Sequence, residues 1–386
     1  MDASYAALVG HAPARRLLYA LATTTLSYGM LTLTVLLTVE HSTGSYRTAG
    51  FAVAAFALFA GISAPVRGRL IDRGGARVWL PGLACGYAIF LAALDVAAHG
   101  GAPPWTLVAL AGATGLSAPP IFASARALWA HVVDPALVRR GYAMTSLLYD
   151  AGQIVGPVVA SVTFLVTTWV GAFVCGAFAV TGALLSLPAR RGIDSEIRPQ
   201  PMPSLRHAPA LVGLLGVSIV FGGSQGVVQV AVPAASSQWG HASLAGPLLG
   251  AFAAGSVAGA LWYGSRVWYL PALDRYLRAV LLVGIFLAPA VLVENAGELA
   301  VVLFLTGLAF GPATVSMFEA LDVLAPGSGA EALTWVTTAE AAGSAGGSAL
   351  AGALASRSSI AAPFAIAAAS AVAAALAALA ARRLRS

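Results

Sequence analysis

Lysine is missing altogether from this 386-residue chain, and all 21 of its basic residues are arginine. Charge of either sign is scarce: 9% of residues are charged, where a soluble domain carries roughly a quarter. That shortage excludes an ordinary water-facing surface. The net charge of +6 sits on arginines in short segments between apolar runs, so it reports topology and excludes a continuous basic face for nucleic acid. Only two cysteines occur, Cys85 and Cys175, both inside apolar runs, which excludes a disulfide framework or a cysteine-built metal cluster. The six histidines are scattered, without His-x-x-Glu-His or similar spacing. No Ser/His, paired-carboxylate or His/Glu metal constellation stands out, so an enzyme is not expected, and neither is a metal or a cofactor.

What the chain has in abundance is apolar surface: 59% of residues are hydrophobic and the mean hydropathy is +0.84. The heavy use of Ala, Gly and Arg points to a GC-rich bacterial coding genome. Apolar runs of about 20 residues are long enough to span hydrocarbon as helices. Twelve such runs are expected, at 17–39, 46–66, 78–98, 105–132, 141–167, 169–187, 209–236, 243–263, 273–293, 298–323, 330–355 and 360–381. The first follows Arg15 and Arg16 and is too long for a secretory leader. The expected fold class is an all-α integral membrane protein of about twelve transmembrane helices in two pseudo-symmetric six-helix bundles. The first half is 1–188, a linker with four arginines follows at 189–208, and the second half is 209–386.

The arginines set an orientation. Of the 21, the N-terminal segment, residues 67–77, Arg139 and Arg140, the linker, residues 266–278 and the tail hold 18. The opposite side keeps Arg47 and Arg357, and Arg126 lies inside an apolar run. By the positive-inside rule both termini face the cytoplasm. The two halves also repeat each other. Gly115-Leu116 through Pro120 matches Gly307-Leu308 through Pro312, Gly152 and Gly156 match Gly343 and Gly347, and Arg77-Val78-Trp79 matches Arg266-Val267-Trp268. Offsets near half the chain length are what duplicated halves leave behind.

The most informative stretch is 68–80, where dense charge interrupts two long apolar runs and is expected to form a water-facing turn. Its order, Gly-x-Leu-x-Asp-Arg-x-Gly-x-Arg, resembles the signature between the second and third helices of the major facilitator superfamily, through Gly68, Leu70, Asp72, Arg73, Gly75 and Arg77. Ala76 replaces a residue that is usually basic. In the fifth run, Gly152, Gly156 and Pro157 resemble the helix-5 signature of the superfamily's drug/proton antiporters, although Ala160 and Ser161 stand where glycines are usual. Small residues one turn apart also serve ordinary helix packing. Gly343 and Gly347 are the corresponding packing pair in the second half.

Ionisable residues at membrane depth are the next signal. Asp150 lies roughly 13 Å into helix 5 at 1.5 Å per residue, and Arg126 on the neighbouring helix 4 is a candidate partner. Glu340 occupies a similar depth in helix 11, and all three are proton-coupling candidates. An ion pair that merely joins two helices is the alternative for Arg126 and Asp150. Glu319, Asp322, Asp95 and Glu40 are expected to snorkel to water. The resemblance implies a central cavity lined by helices 1, 4, 7 and 10, with Tyr28, Thr32, Gln225, Gln229 and Glu319 as substrate-cavity candidates. The threonines of helix 1 are weaker candidates, because they can bond their own backbone.

Such a resemblance implies alternating access at a mid-membrane site. The expected function is secondary transport of a small molecule, with proton-coupled efflux favoured. The alternatives are a proton-coupled uptake symporter, or a receptor or assembly protein that kept the fold. The expected partners are the small-molecule substrate, a proton and the lipid bilayer, with no nucleic acid. A monomer is expected, in the bacterial cytoplasmic (inner) membrane.

Overall fold

The computed structural model describes residues 9–74, 76–120, 128–129, 132–167, 169–187, 209–325, 329–355 and 361–383. The regular structure among them is helical. Six helices come first: α1 (Ala12–Thr43), α2 (Tyr46–Gly74), α3 (Ala76–His99), α4 (Pro104–Leu116), α5 (Pro135–Val166) and α6 (Val170–Ser186). Six more follow: α7 (Pro209–Gln238), α8 (Ala245–Gly264), α9 (Ala272–Leu287), α10 (Ala296–Leu324), α11 (Gly329–Ala355) and α12 (Ala361–Arg383). Among the described residues, nine helical stretches are long and apolar enough to cross a membrane; α4 and α6 are shorter, and α11 is not among the nine. In hydrocarbon every backbone N–H and C=O must be paired within the chain, and a helix does this without help from neighbours.

The helix ends follow local chemistry. α1 stops where Gly44 turns left-handed, at φ 62°, and its N–H reaches Glu40 O at 2.7 Å; a residue with a Cβ is strained there. At the start of α10, Asn295 Oδ1 accepts the Glu298 N–H at 3.0 Å, while Glu298 Oε1 accepts from Asn295 Nδ2 at 2.7 Å. This reciprocal cap satisfies donors that the first turn leaves orphaned.

Two boundaries differ most from expectation. The charged stretch 68–80 is helical over nearly all its length: α2 continues to Gly74 and α3 begins at Ala76. Arginine is a good helix former, so the helices outlast the apolar runs and carry the charges on their ends. The fourth helix, expected to reach residue 132, ends at Leu116, before Pro119 and Pro120. Two consecutive prolines remove two donors and disfavour helical backbone at Ala118.

Consecutive helices run antiparallel, so α1 begins and α12 ends on one side, here the terminal side; the other is the far side. On the far side a single apolar core joins both sets of six, including Leu36 of α1, Val53 of α2, Val230 of α7, Leu249 of α8 and Phe364 of α12. On the terminal side the described core divides. One cluster lies within the second six, around Tyr276 and Met317. Two more lie within the first six, around Leu17 and Trp129, and around Ile71 and Leu80. The helices that cross between the sets are chiefly α2 against α11 and α5 against α8.

Candidate functional site

Glycine governs how closely these helices meet. A Cβ on Gly152 would lie 2.6 Å from the Thr25 carbonyl carbon, and one on Gly156 would lie 2.6 Å from Gly29 Cα, so the expected packing pair of α5 meets α1 backbone to backbone. Pro157 follows inside the helix. Gly343 and Gly347 meet α7 at Ile219 and Gly223 in the same way. Between the sets, a Cβ on Gly50 of α2 would lie 2.6 Å from Ser348 O and 2.8 Å from Gly352 Cα. Further along α2, one on Gly61 would come within 2.6 Å of Ala341 Cβ. Such contacts replace the hydrophobic driving force that lipid cannot supply with close van der Waals packing.

Near the middle of α1, α2, α7 and α11 these approaches leave a cavity of about 260 Å³. Its polar lining is Thr32, Gln225, Gln229, Thr337, Glu340 and Ser344, and Phe56 and Ala57 supply part of an apolar wall. Gln225 and Gln229, one turn apart, share a face of α7. The structure therefore brings three of the expected cavity residues, Thr32, Gln225 and Gln229, together with Glu340. α4 and α10 contribute no described lining residue, and the space between the sets is walled by α2 and α11 instead.

The uncommitted state of Glu340, Gln225 and Gln229 among the described residues sets them apart. Elsewhere polar side chains inside the helices are satisfied by their own backbone: Thr24 Oγ1 donates to Ala20 O at 2.7 Å, Thr34 Oγ1 to Met30 O at 2.9 Å, and Ser316 Oγ to Pro312 O at 2.6 Å. Ser27 donates to Cys175 O at 2.7 Å and ties α1 to α6. Among the described residues, none hydrogen-bonds or ion-pairs with the Glu340 carboxyl or with the amides of Gln225 and Gln229. Tyr149 of α5 and Tyr276 of α9 lie within electrostatic range of Glu340.

Other candidates sit elsewhere. Tyr28 donates its hydroxyl to Pro119 O, beside the break that ends α4. Glu319 is outside the cavity, on the terminal side of α10, where Arg275 Nη1 reaches its carboxylate at 2.7 Å and Tyr263 Oη donates to it at 2.9 Å. Asp150 is half-buried on α5, within electrostatic range of Tyr149. Arg126, its expected partner, lies outside the described residues, as does Gly75. Gly68 and Leu70 lie on the last turns of α2, with Asp72 and Arg73 beyond them, and Arg77 opens α3.

Two residues depart from the sequence reading. Asp95, expected to snorkel, is 0% exposed, and among the described residues neither carboxylate oxygen has a hydrogen-bond partner. Its near neighbour is His99, with Nδ1 at 3.8 Å from Oδ2 and its ring stacked on Trp169 at 3.7 Å. Arg67, counted among the topological charges, is 7% exposed inside α2; its Nη2 donates to Ala60 O at 2.6 Å, and it lies within electrostatic range of Tyr28. The available signal was its register: the guanidinium folds back two turns along its own helix, which a run boundary placed at residue 66 conceals.

Comparison with known proteins completes the assignment. No curated protein matches the chain by sequence. Among solved structures, the nucleoside transporter NupG, in a single-residue variant, superposes with a TM-score of 0.75 at 13% identity, covering 95% of this chain and 99% of its own. A peptide transporter of the POT family in complex with sulfate gives 0.71 at 16% identity, covering 95% and 93%. A bacterial homologue of the human lysosomal transporter Spinster, inward-facing and unoccupied, gives 0.66 at 14%, covering 94% of each chain. At these identities the likeness is one of fold. The sequence itself matches the model of the Major Facilitator Superfamily over residues 17–327, and with twelve helices packed in this arrangement the chain belongs to that superfamily, a family of transporters and not of enzymes.

Proposed function

We propose that the chain exports a small molecule across a bacterial cytoplasmic membrane in exchange for protons. The observation that carries this reading is the polar cavity at mid-helix depth between the two sets of six, with one continuous core on its far side and divided cores on its terminal side. A site reached from one side at a time is what alternating access requires. The arginine distribution supports a cytoplasmic terminal side, so this arrangement corresponds to an inward-facing state. The units that rock are 1–188 and 209–386, joined by 189–208.

Asp150 is the proposed proton carrier, with Arg126 as its partner on the sequence argument. It is half-buried and does not line the cavity, so protonation there and substrate binding in the cavity need not be the same event. The paired charges at the ends of α2 and α3, Asp72 with Arg73 or Arg77, are the proposed latch between the sets on the terminal side.

Inverted vesicles holding the purified protein, under an imposed pH gradient with an acidic interior, test the reading against a panel of small amines and neutral solutes. Exchange predicts gradient-driven accumulation, abolished in Asp150→Asn although substrate still binds. Accumulation that instead requires an acidic exterior would make the protein a symporter, and none under either gradient, despite binding, would make it a receptor.

A further inference from the structure

Hydrogen bonds inside a membrane protein are ordinarily complete, because hydrocarbon offers no substitute partner. In the cavity between α1, α2, α7 and α11, one carboxyl and two primary amides have no hydrogen-bond partner among the described residues. Among the described lining residues, the one with a formal charge is Glu340. Lysine does not occur in the chain, and among the described residues no arginine lines the cavity. Arg67 is the arginine that folds toward the α2 wall, and it is held on Ala60 O and faces Tyr28. Among the described residues, the groups within electrostatic range of Glu340 are the phenols of Tyr149 and Tyr276, not cations. A carboxylate at mid-membrane depth without a counter-charge is costly, and a bound cation removes that cost.

We propose that this cavity takes a small organic cation, an ammonium-bearing solute with at least one hydrogen-bonding group, its charge facing Glu340 and its polar group facing Gln225 and Gln229. The proposal rests on the transporter reading above and supplies its substrate class. Size supports it: the cavity, about 260 Å³, falls just below the range of roughly 300–1,000 Å³ typical of drug-sized ligands. The chemistry of the lining also argues against other classes. An anion would meet a like charge, and a purely apolar solute would leave the carboxyl and both amides buried without partners. The amides accept as well as donate, so they suit a hydroxyl or a second amine. Phe56, in the apolar wall, fits the carbon portion.

Equilibrium binding to the purified full-length protein in detergent tests the class without requiring transport. The probes are choline, its uncharged isostere in which a tert-butyl group replaces trimethylammonium, and the pivalate anion. The expected result is choline binding at least about tenfold tighter than the isostere, the size of one charge-assisted contact, with no detectable pivalate binding. Glu340→Gln removes the preference for choline, Glu340→Asp keeps it, and Gln229→Ala weakens choline and the isostere alike. Equal binding of choline and isostere, tighter binding of pivalate, no binding of choline, or an unchanged preference in well-folded Glu340→Gln would each overturn the proposal. Choline binding without transport in vesicles would instead overturn the transporter reading and leave the site assignment standing.

Discussion

The far side and the terminal side of this protein are built from the same twelve helices but held together differently. On the far side, α2 meets α11 at Gly50 and Gly352, α5 meets α8 at Pro157 and Gly246, and Tyr46 of α2 donates to Pro233 O of α7 at 3.1 Å. Each contact crosses between the two sets of six, and one apolar core runs through them. On the terminal side the described cores stay within their own set, and a Cβ on Gly68 would meet nothing within 4 Å. The contrast teaches that closure here is a property of local helix approach. Seams within each set run the length of the helices, whereas seams between sets are confined to part of it.

The largest effect is expected from a change that breaks a set itself. Gly156→Leu drives a branched side chain into the backbone of Gly29 and Met30 and should abolish recovery of folded protein, read as loss of a monodisperse elution peak. Even Gly156→Ala should lower thermal stability, because its Cβ already overlaps Gly29. Overpacking of this kind typically costs about 1–3 kcal/mol or more. Equal, wild-type stability for both would show that this seam is not held as described.

Next in size is a change that opens the far side alone. A Cβ on Gly246 would stand 2.5 Å from Ser161 Oγ, so Gly246→Leu should part α8 from α5 while leaving each set folded. In a background lacking Cys85, a cysteine placed at Ala235, which is fully buried in the far-side core, should label faster with a membrane-impermeant maleimide. Gly68→Leu, the terminal-side counterpart, should leave that rate unchanged. Equal acceleration by both would erase the distinction between the sides.

Tyr46→Phe deletes one hydrogen bond between the sets and little volume. A net loss of about 1 kcal/mol corresponds to roughly a fivefold shift in population away from the closed far side. The same labelling rate measures it, and no change would mean that water replaces the hydroxyl.

The smallest effect is expected at Arg275. Its pairing with Glu319 joins α9 to α10 within the second set, and Glu319 is 45% exposed, so screening limits the contribution to about 0.5 kcal/mol. Arg275→Met should lower the melting temperature slightly and leave Ala235 labelling untouched. A marked change in labelling would make this cluster a link between the sets.

Helix number and order were legible because hydrocarbon thickness imposes length, and length is visible in an apolar run. The kinship of the halves was visible too, in the recurrence of Gly152 and Gly156 as Gly343 and Gly347. Azimuth was not. A helix that is apolar on every side offers no periodicity by which to tell lipid from neighbour, so nothing in the run around Asp95 distinguished a buried carboxyl from a snorkelling one. Depth separated Glu340 from Glu319 in the sequence, but their neighbours were not legible. Which of them meets Arg275 and which faces a cavity depends on where α9 and α2 pass, and that is a property of packing. The end of α4 was available in Pro119 and Pro120 but was outweighed by the hydrophobicity that continues past them.

The approach of Gly61 to Ala341 has a mechanical consequence. Gly61 stands 15 residues from Tyr46 and 13 from Gly74, the two ends of α2, so the arms on either side measure about 22 and 20 Å at 1.5 Å per residue. α2 is thus a nearly balanced beam. A tilt of about 10° around that point moves each tip by roughly 4 Å in opposite senses, enough to separate one pair of seams while bringing the other together. Ala341 is the residue after Glu340. Under the proposed rocking, the fulcrum stands beside the carboxyl in the cavity, and whatever rests there is displaced least while both entrances exchange roles.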